Sequence, residues 1–211
     1  MDKNKQIAEI LKRLRKEYAG TPQTALNYSN PFELLAATIL SAQTTDVQVN
    51  KVTGTLFEKY KTIKDFADTT PELLEKDVAS VNFYRNKAKN INNTAKMIIR
   101  DFNGKVPQTM EALIALPGVA RKTANIVLSS AFGINEGIAV DTHVKRLAYR
   151  LGLTKQEDPV KIELELMDVT PRKSWGDLSH LLIFHGRKIC QAKKPNHTEC
   201  VLFDICPSNS I

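Results

Sequence analysis

This sequence is short of the devices that staple or anchor a chain: it has three cysteines and one tryptophan. It also has no apolar run of the roughly 18 residues that a membrane-spanning helix needs. No segment alternates apolar and polar residues over a sustained stretch, so half-buried strands are not expected. Low-complexity linkers and long internal repeats are missing as well. The opening Met1-Asp2-Lys3-Asn4-Lys5 is charged and leads into an amphipathic pattern rather than the apolar core of a secretory signal, and a cytoplasmic protein is expected. Cys190, Cys200 and Cys206 crowd the last part of the chain. An odd, clustered set in such a chain argues against a disulfide framework and for a metal or cluster site.

What is present is ordinary in bulk and basic in sign. The 211 residues are 42% hydrophobic and 25% charged, enough to bury a sizeable core as one domain or two. The 30 lysines and arginines exceed the 23 acidic residues, giving a net charge of +7. That excess suits a polyanionic partner, because cations that neutralise phosphates release condensed counterions.

Helical periodicity runs through nearly the whole chain, and an all-α fold is expected. Ile7, Ile10, Leu11 and Leu14 share one helical face. Asn30-Pro31 and Thr70-Pro71-Glu72 each read as an N-cap followed by proline at the first helical position. Val49, Val52, Leu56 and Phe57 form the stripe between them. Ala88, Ile91, Ala95, Ile98 and Ile99 mark a long helix stopped by Asn103-Gly104 and Pro107. Further helices are expected over 109–116, 121–132, 141–151, 159–168 and 175–189. The clearest break between them is Gly133-Ile134-Asn135-Glu136-Gly137.

The most informative stretch is Leu116-Pro117-Gly118-Val119-Ala120-Arg121-Lys122-Thr123-Ala124-Asn125. Pro117 stops one helix, Gly118 permits a left-handed turn, and the next helix starts at once. Its first N–H groups have no intrahelical acceptor and form a ready phosphate site, a grip on a nucleic-acid backbone that reads no sequence. Lys122 falls in the first turn of that helix. There the helix dipole and Arg121 both disfavour its protonated form, which suits an amine nucleophile that forms a Schiff base with a sugar carbon. On spacing alone it reads more readily as a solvated phosphate contact, the commoner role of a surface lysine. Farther on, Ala139-Val140-Asp141-Thr142-His143-Val144 places Asp141 as a helix N-cap, or as a carboxylate that takes a proton or steadies positive charge on a deoxyribose ring.

Leu116–Asn125 and Val140–His143, with Leu40-Ser41-Ala42-Gln43-Thr44-Thr45-Asp46, Phe83-Tyr84-Arg85-Asn86-Lys87-Ala88 and a cysteine-rich tail, closely resemble the endonuclease III family of helix-hairpin-helix DNA glycosylases. The resemblance covers nearly the whole chain. It implies two helical lobes, 24–133 with the hairpin and 1–23 plus 134–211 with a cluster loop. It also implies a base-excision repair glycosylase and AP lyase that acts on double-stranded DNA carrying damaged bases or abasic sites; a monomer is expected, cytoplasmic and, in a bacterial or archaeal cell, nucleoid-associated. Its targets would be oxidised pyrimidines such as thymine glycol, followed by β-elimination at the abasic site. Lys122 matches the family's nucleophile and Asp141 its essential aspartate. A target base in a duplex must be rotated out of the stack. Gln43 matches the residue that enters the gap, and Phe83 stands where the family carries an apolar wedge; their plain alternatives are a helix-terminal polar residue and a core aromatic. Gly118, Ala120 and Arg121 would contact DNA through the hairpin. Two departures stand out: Ala120 replaces a usual glycine, and Asn82, before Phe83, replaces another at a place suited to a left-handed backbone.

The family's cluster motif spaces four cysteines by six, two and five residues. Here those positions read Cys190, His197, Cys200 and Cys206. Three thiolates and an imidazole can ligate a 4Fe-4S cluster, although all-thiolate ligation is commoner; they also suit a structural zinc, and an incomplete site is the third reading. The cluster with His197 as ligand is the expectation adopted. Lys193 and Lys194, beside Arg187 and Lys188, make the loop basic and able to meet phosphates, though a charge run is commonly a solvated face. His143, His180 and His185 are expected to be structural. The rivals are an adenine-directed relative, which would lack the lysine, a catalytically silent DNA-binding module, and a zinc-binding nucleic-acid module.

Overall fold

The structure, a computed structural model, describes residues 2–210; Met1 and Ile211, the outer bounds of the expected discontinuous lobe, lie outside the described residues. Among the described residues the fold is all-α and contains no strand. In chain order the helices are α1 (Lys3–Glu17), α2 (Pro31–Ser41), α3 (Asp46–Lys59), α4 (Ile63–Asp68), α5 (Pro71–Asp77), α6 (Tyr84–Phe102), α7 (Met110–Ile114), α8 (Arg121–Phe132), α9 (Thr142–Arg150), α10 (Pro159–Val169) and α11 (Trp175–Lys188). The helices group into two units: Thr24–Ile134, and the chain up to Gln23 joined with the chain from Asn135 on.

Local chemistry sets most of the helix starts. Asn30 caps α2 by accepting from the Glu33 amide (3.0 Å), with Pro31 in the first turn, where a missing N–H costs nothing. Thr70 and Pro71 repeat the device at α5, and Asp158 with Pro159 at α10. The left-handed Asn103 and Gly104 end α6. Helix α4 was not anticipated, because six residues carry barely more than one turn of apolar period. Its start is nevertheless written locally, as a reciprocal capping box between Thr62 and Asp65.

Each unit has its own core. In Thr24–Ile134 the fully buried Phe66 of α4 meets Phe32 and Tyr60, both with ring centroids at 5.1 Å, and leucines from α2, α3 and α5 close around them. Helix α6 runs beneath α4 and α5; its buried Asn92 donates to Phe66 O (2.7 Å) and Thr69 O (2.9 Å), satisfying carbonyls at the end of α4. In the other unit Ile7, Ile10, Leu11 and Leu14 of α1 pack with Val144 and Leu147 of α9, Ile162 and Leu166 of α10, and Leu178 and Leu182 of α11. Polar ties fix α1 there: Gln6 Nε2 donates to Leu151 O (2.8 Å), Arg15 pairs with Asp177 (2.6 Å), and Arg13 donates to Val201 O (3.0 Å) and pairs with Asp204.

Candidate functional site

The hairpin between α7 and α8 is built on apolar anchors. Leu113, Leu116 and Val119 are buried, and the amides of Leu116 and Val119 close successive turns on Leu113 O and Leu116 O, both at 3.1 Å. Gly118 has φ +77°, and a Cβ there would lie 2.6 Å from Asn90 Nδ2. Glycine is therefore demanded twice, by the backbone conformation and by the close approach of α6. From the same helix Thr94 Oγ1 donates to Pro117 O (3.0 Å). Ala120 is extended (φ −88°, ψ 166°), a conformation open to any residue, and its methyl is exposed; no adjustment of the turn is needed. Helix α8 begins without a side-chain cap, with Arg121 and Lys122 exposed in its first turn. First-turn amides without a side-chain acceptor are the groups an anion binds.

In the same unit two loops end in left-handed, exposed residues: Gln43 (φ +53°), just after α2, and Phe83 (φ +56°), the uncapped start of α6. The left-handed residue is thus Phe83 and not the expected Asn82, whose side chain has other work: Asn82 Nδ2 donates to Gln43 O. A non-glycine residue held in this region costs about 1 kcal/mol or more, a strain that persists only where surrounding contacts impose it. Phe83 is 62% exposed, which removes the core-aromatic alternative.

In the unit that contains both ends of the chain, Asp141 is the N-cap of α9: its Oδ1 accepts from the amides of His143 and Val144, both at 2.8 Å. Among the described residues Oδ2 has no hydrogen-bond partner. The two sequence readings of Asp141 are therefore compatible, since one oxygen caps the helix and the other stays available for chemistry. Burial pushes the neighbouring His143 imidazole below its ordinary value, against the pull of Asp141.

The later turns of α9 grip the tail. Arg146 Nη2 donates to Gly186 O (2.8 Å) and Cys190 O (2.9 Å), and Arg150 donates to Gln191 O and Ala192 O, both at 2.8 Å. Arg150 Nη1 also reaches Cys190 Sγ (3.2 Å). Cys190, His197, Cys200 and Cys206 all line one small cavity together with Arg150. Among the described residues no three His, Cys, Asp or Glu side chains converge closely enough to hold a single metal ion. The buried His185 bonds through both nitrogens, Nδ1 with Tyr18 Oη (2.9 Å) and Nε2 with Cys200 Sγ (3.3 Å), and burial pushes its imidazole down to about 4. Lys193 and Lys194 are exposed.

Four features here are not anticipated by the sequence reasoning: the Asn90 and Thr94 brace of the hairpin, the Arg146 and Arg150 grip on the loop, Tyr18 as the partner of His185, and the role of Lys87. Only Lys87 left a legible signal. It sits four residues before Ile91 and eight before Ala95, a lysine written into the apolar stripe of α6, and it is buried.

The pattern of the HhH-GPD superfamily base excision DNA repair proteins matches residues 36–172. Endonuclease III of Synechocystis sp. is 50% identical over 98% of this chain and 94% of its own length. The Bacillus subtilis endonuclease III is 50% identical over 86% of this chain and 83% of its own. A solved structure of a trapped endonuclease III–DNA covalent intermediate, an estranged-adenine complex, is 43% identical with a TM-score of 0.91, covering 99% of this chain and 98% of that one.

Proposed function

The chain belongs to the endonuclease III family within the HhH-GPD superfamily, and from that premise we propose a reaction in which Lys122 is the nucleophile and Asp141 the assisting carboxylate. The protein is a base-excision repair DNA glycosylase and AP lyase that acts on duplex DNA. The observation that carries the assignment of the nucleophile is the hairpin itself, which presents an exposed Lys122 in the uncapped first turn of α8.

The Lys122 amine attacks C1′ of a nucleotide bearing an oxidised pyrimidine such as thymine glycol. The bond from C1′ to the base breaks, and the base leaves with the electron pair and a proton. The sugar ring opens to a Schiff base between C1′ and Nζ. The imine acidifies C2′; its proton leaves, the C3′–O bond breaks, and the 3′ phosphate departs. Water then hydrolyses the imine and frees Lys122. Asp141, through Oδ2, takes the amine proton or steadies positive charge on the sugar. Gly118, Ala120 and Arg121 hold the phosphate backbone, Gln43 and Phe83 fill the space left by the everted base, and Lys193 and Lys194 add phosphate contacts. The enzyme works as a monomer in the cytoplasm, at the nucleoid.

The family generally carries a 4Fe-4S cluster, and the donor set here suits one. Cys190, Cys200 and Cys206 would each hold an iron by thiolate and His197 the fourth by imidazole, and the bound cluster would cross-link the loop. All four line the same cavity, and the three cysteines at the family's spacing support the cluster reading.

Borohydride reduction during incubation with thymine glycol duplex tests the nucleophile. A covalent adduct is expected for the native protein and none for Lys122→Ala. Tight DNA binding with neither adduct nor cleavage by the native protein would leave the silent DNA-binding module as the better reading. Iron, sulfide and zinc analysis with a visible spectrum tests the loop, and His197→Cys is expected to keep the cluster.

A further inference from the structure

Lys87 is buried in the first turns of α6, and its ammonium spends all three of its donors on one short segment. Nζ donates to Leu40 O (2.7 Å), Ala42 O (2.6 Å) and Thr44 Oγ1 (3.1 Å). Leu40 and Ala42 supply the terminal carbonyls of α2, which lack intrahelical donors and lie at the negative end of the helix dipole. The backbone amide of Lys87 meanwhile donates to Phe83 O (3.2 Å). The side chain of Lys87 thus ties the chain on either side of Gln43 to the first turn of α6, whose opening helical bond is the one to Phe83 O. Asn82 completes the tie: its Nδ2 donates to Gln43 O, and its amide to Thr44 Oγ1 (3.3 Å).

A buried ammonium is expensive, and this one is compensated by carbonyl and hydroxyl dipoles rather than by a carboxylate. Burial alone pushes Lys87 below the ordinary lysine range. Both segments it joins end in left-handed, solvent-exposed residues, the kind of strain that local contacts must impose. Helix packing alone would need none of this; a methionine of similar length would fill the stripe of α6 more cheaply.

We propose that Lys87 is a positioning residue for DNA probing: it clamps the loop after α2 and the loop before α6 into a single rigid head, with Gln43 and Phe83 ordered before any duplex is met. The inference rests on the reading that Gln43 and Phe83 enter the duplex. Ordering both tips in advance spares the enzyme that entropy when the base is displaced. Asn82, which stands where the family has glycine, supplies the direct cross-tie between the two loops.

The test uses the full-length protein with Lys87→Met, which keeps length and apolarity while deleting the three donors. Two probes report on different steps. A duplex with 2-aminopurine opposite a reduced abasic site brightens when the orphaned base is unstacked. Borohydride trapping on a single-stranded abasic oligonucleotide reads Lys122 with no stack to enter. Lys87→Met is expected to lose most of the 2-aminopurine signal and about 10- to 100-fold in single-turnover excision from thymine glycol duplex, the scale of loss that a small misplacement produces. Single-strand trapping is expected to stay within about twofold of native. In a Gln43→Ala/Phe83→Ala background Lys87→Met is expected to add little, because the residues act as a unit. Native excision and fluorescence in Lys87→Met, or full additivity with the loop variants, overturns the proposal. If Gln43→Ala and Phe83→Ala are themselves without effect, the underlying reading of those residues fails first, and that pattern is distinct. If Lys87→Met does not fold, Asn82→Ala decides: it cuts the exposed cross-tie alone, and a loss of about threefold with a reduced 2-aminopurine signal is expected, whereas no change overturns the clamp.

Discussion

The hairpin that carries Lys122 and the loop that carries the cysteines are held in opposite ways. Buried leucine and valine side chains, a glycine against Asn90, and one neutral bond from Thr94 fix the hairpin. Over the buried Leu202, guanidinium groups of α9 and α1 fix the tail from outside, on carbonyls, a carboxylate and a thiol. The first is shape held by packing, which responds to volume and backbone angle and hardly to salt or pH. The second is a set of charge-assisted ties, which responds to ionic strength and protons.

The largest expected effect separates chemistry from scaffold in the hairpin. Lys122→Ala should reduce excision and adduct formation by at least about a thousandfold, with a melting temperature close to native because the side chain is exposed. If a chelator abolishes adduct formation as completely, the hairpin is not self-sufficient and the contrast breaks. Next comes Gly118→Ala, which adds a Cβ against Asn90 Nδ2 in a left-handed position and should cost about 2–4 kcal/mol in urea unfolding. Adding Asn90→Ala should recover much of the steric share, since only Asn90 Cβ then stays close at 3.0 Å, and leave about 1–2 kcal/mol of backbone strain.

These outcomes bear on what the sequence could disclose. The starts of α2 and α5 were legible because a cap and a proline are adjacent residues acting on adjacent amides. The same locality made Gly118 and Asp141 stand out. Left-handed preference points to Asn82, yet Phe83 adopts that backbone while the Asn82 side chain bonds Gln43 O, a partner 39 positions away that no local pattern discloses. The bond from Tyr18 to His185 spans 167 positions, and the arginines of α9 reach carbonyls more than 40 positions away. No local pattern encodes ties of that range. His185 was expected to be structural; both its nitrogens are bonded, and one of its partners is a cysteine of the cluster motif.

The tail should answer differently. Arg150→Ala removes the donor on Cys190 Sγ and the grip on Gln191 and Ala192, and should weaken iron retention about 10- to 100-fold against a chelator while leaving the hairpin's amide exchange unchanged. Equal loosening of both regions would erase the distinction. The smallest effect concerns protons. Burial pushes His180 of α11 below its ordinary imidazole value. As pH falls below about 6.5 the unfolded chain takes up this proton before the folded one does, so the stabilisation present above that pH is progressively lost. His180→Phe, which keeps a ring against Phe184, should flatten the fall in urea midpoint between about pH 7.5 and pH 5.

Helix α9 has nine residues, roughly 13 Å of stiff rod, with Asp141 capping one end and Arg146 and Arg150 fastened to the cysteine loop along the rest. A rod of that length transmits displacement instead of absorbing it. A displacement of the loop is therefore carried to the cap, and substitution of Arg146 or Arg150 is expected to change the hydrogen-exchange protection of the His143 and Val144 amides that Asp141 Oδ1 accepts.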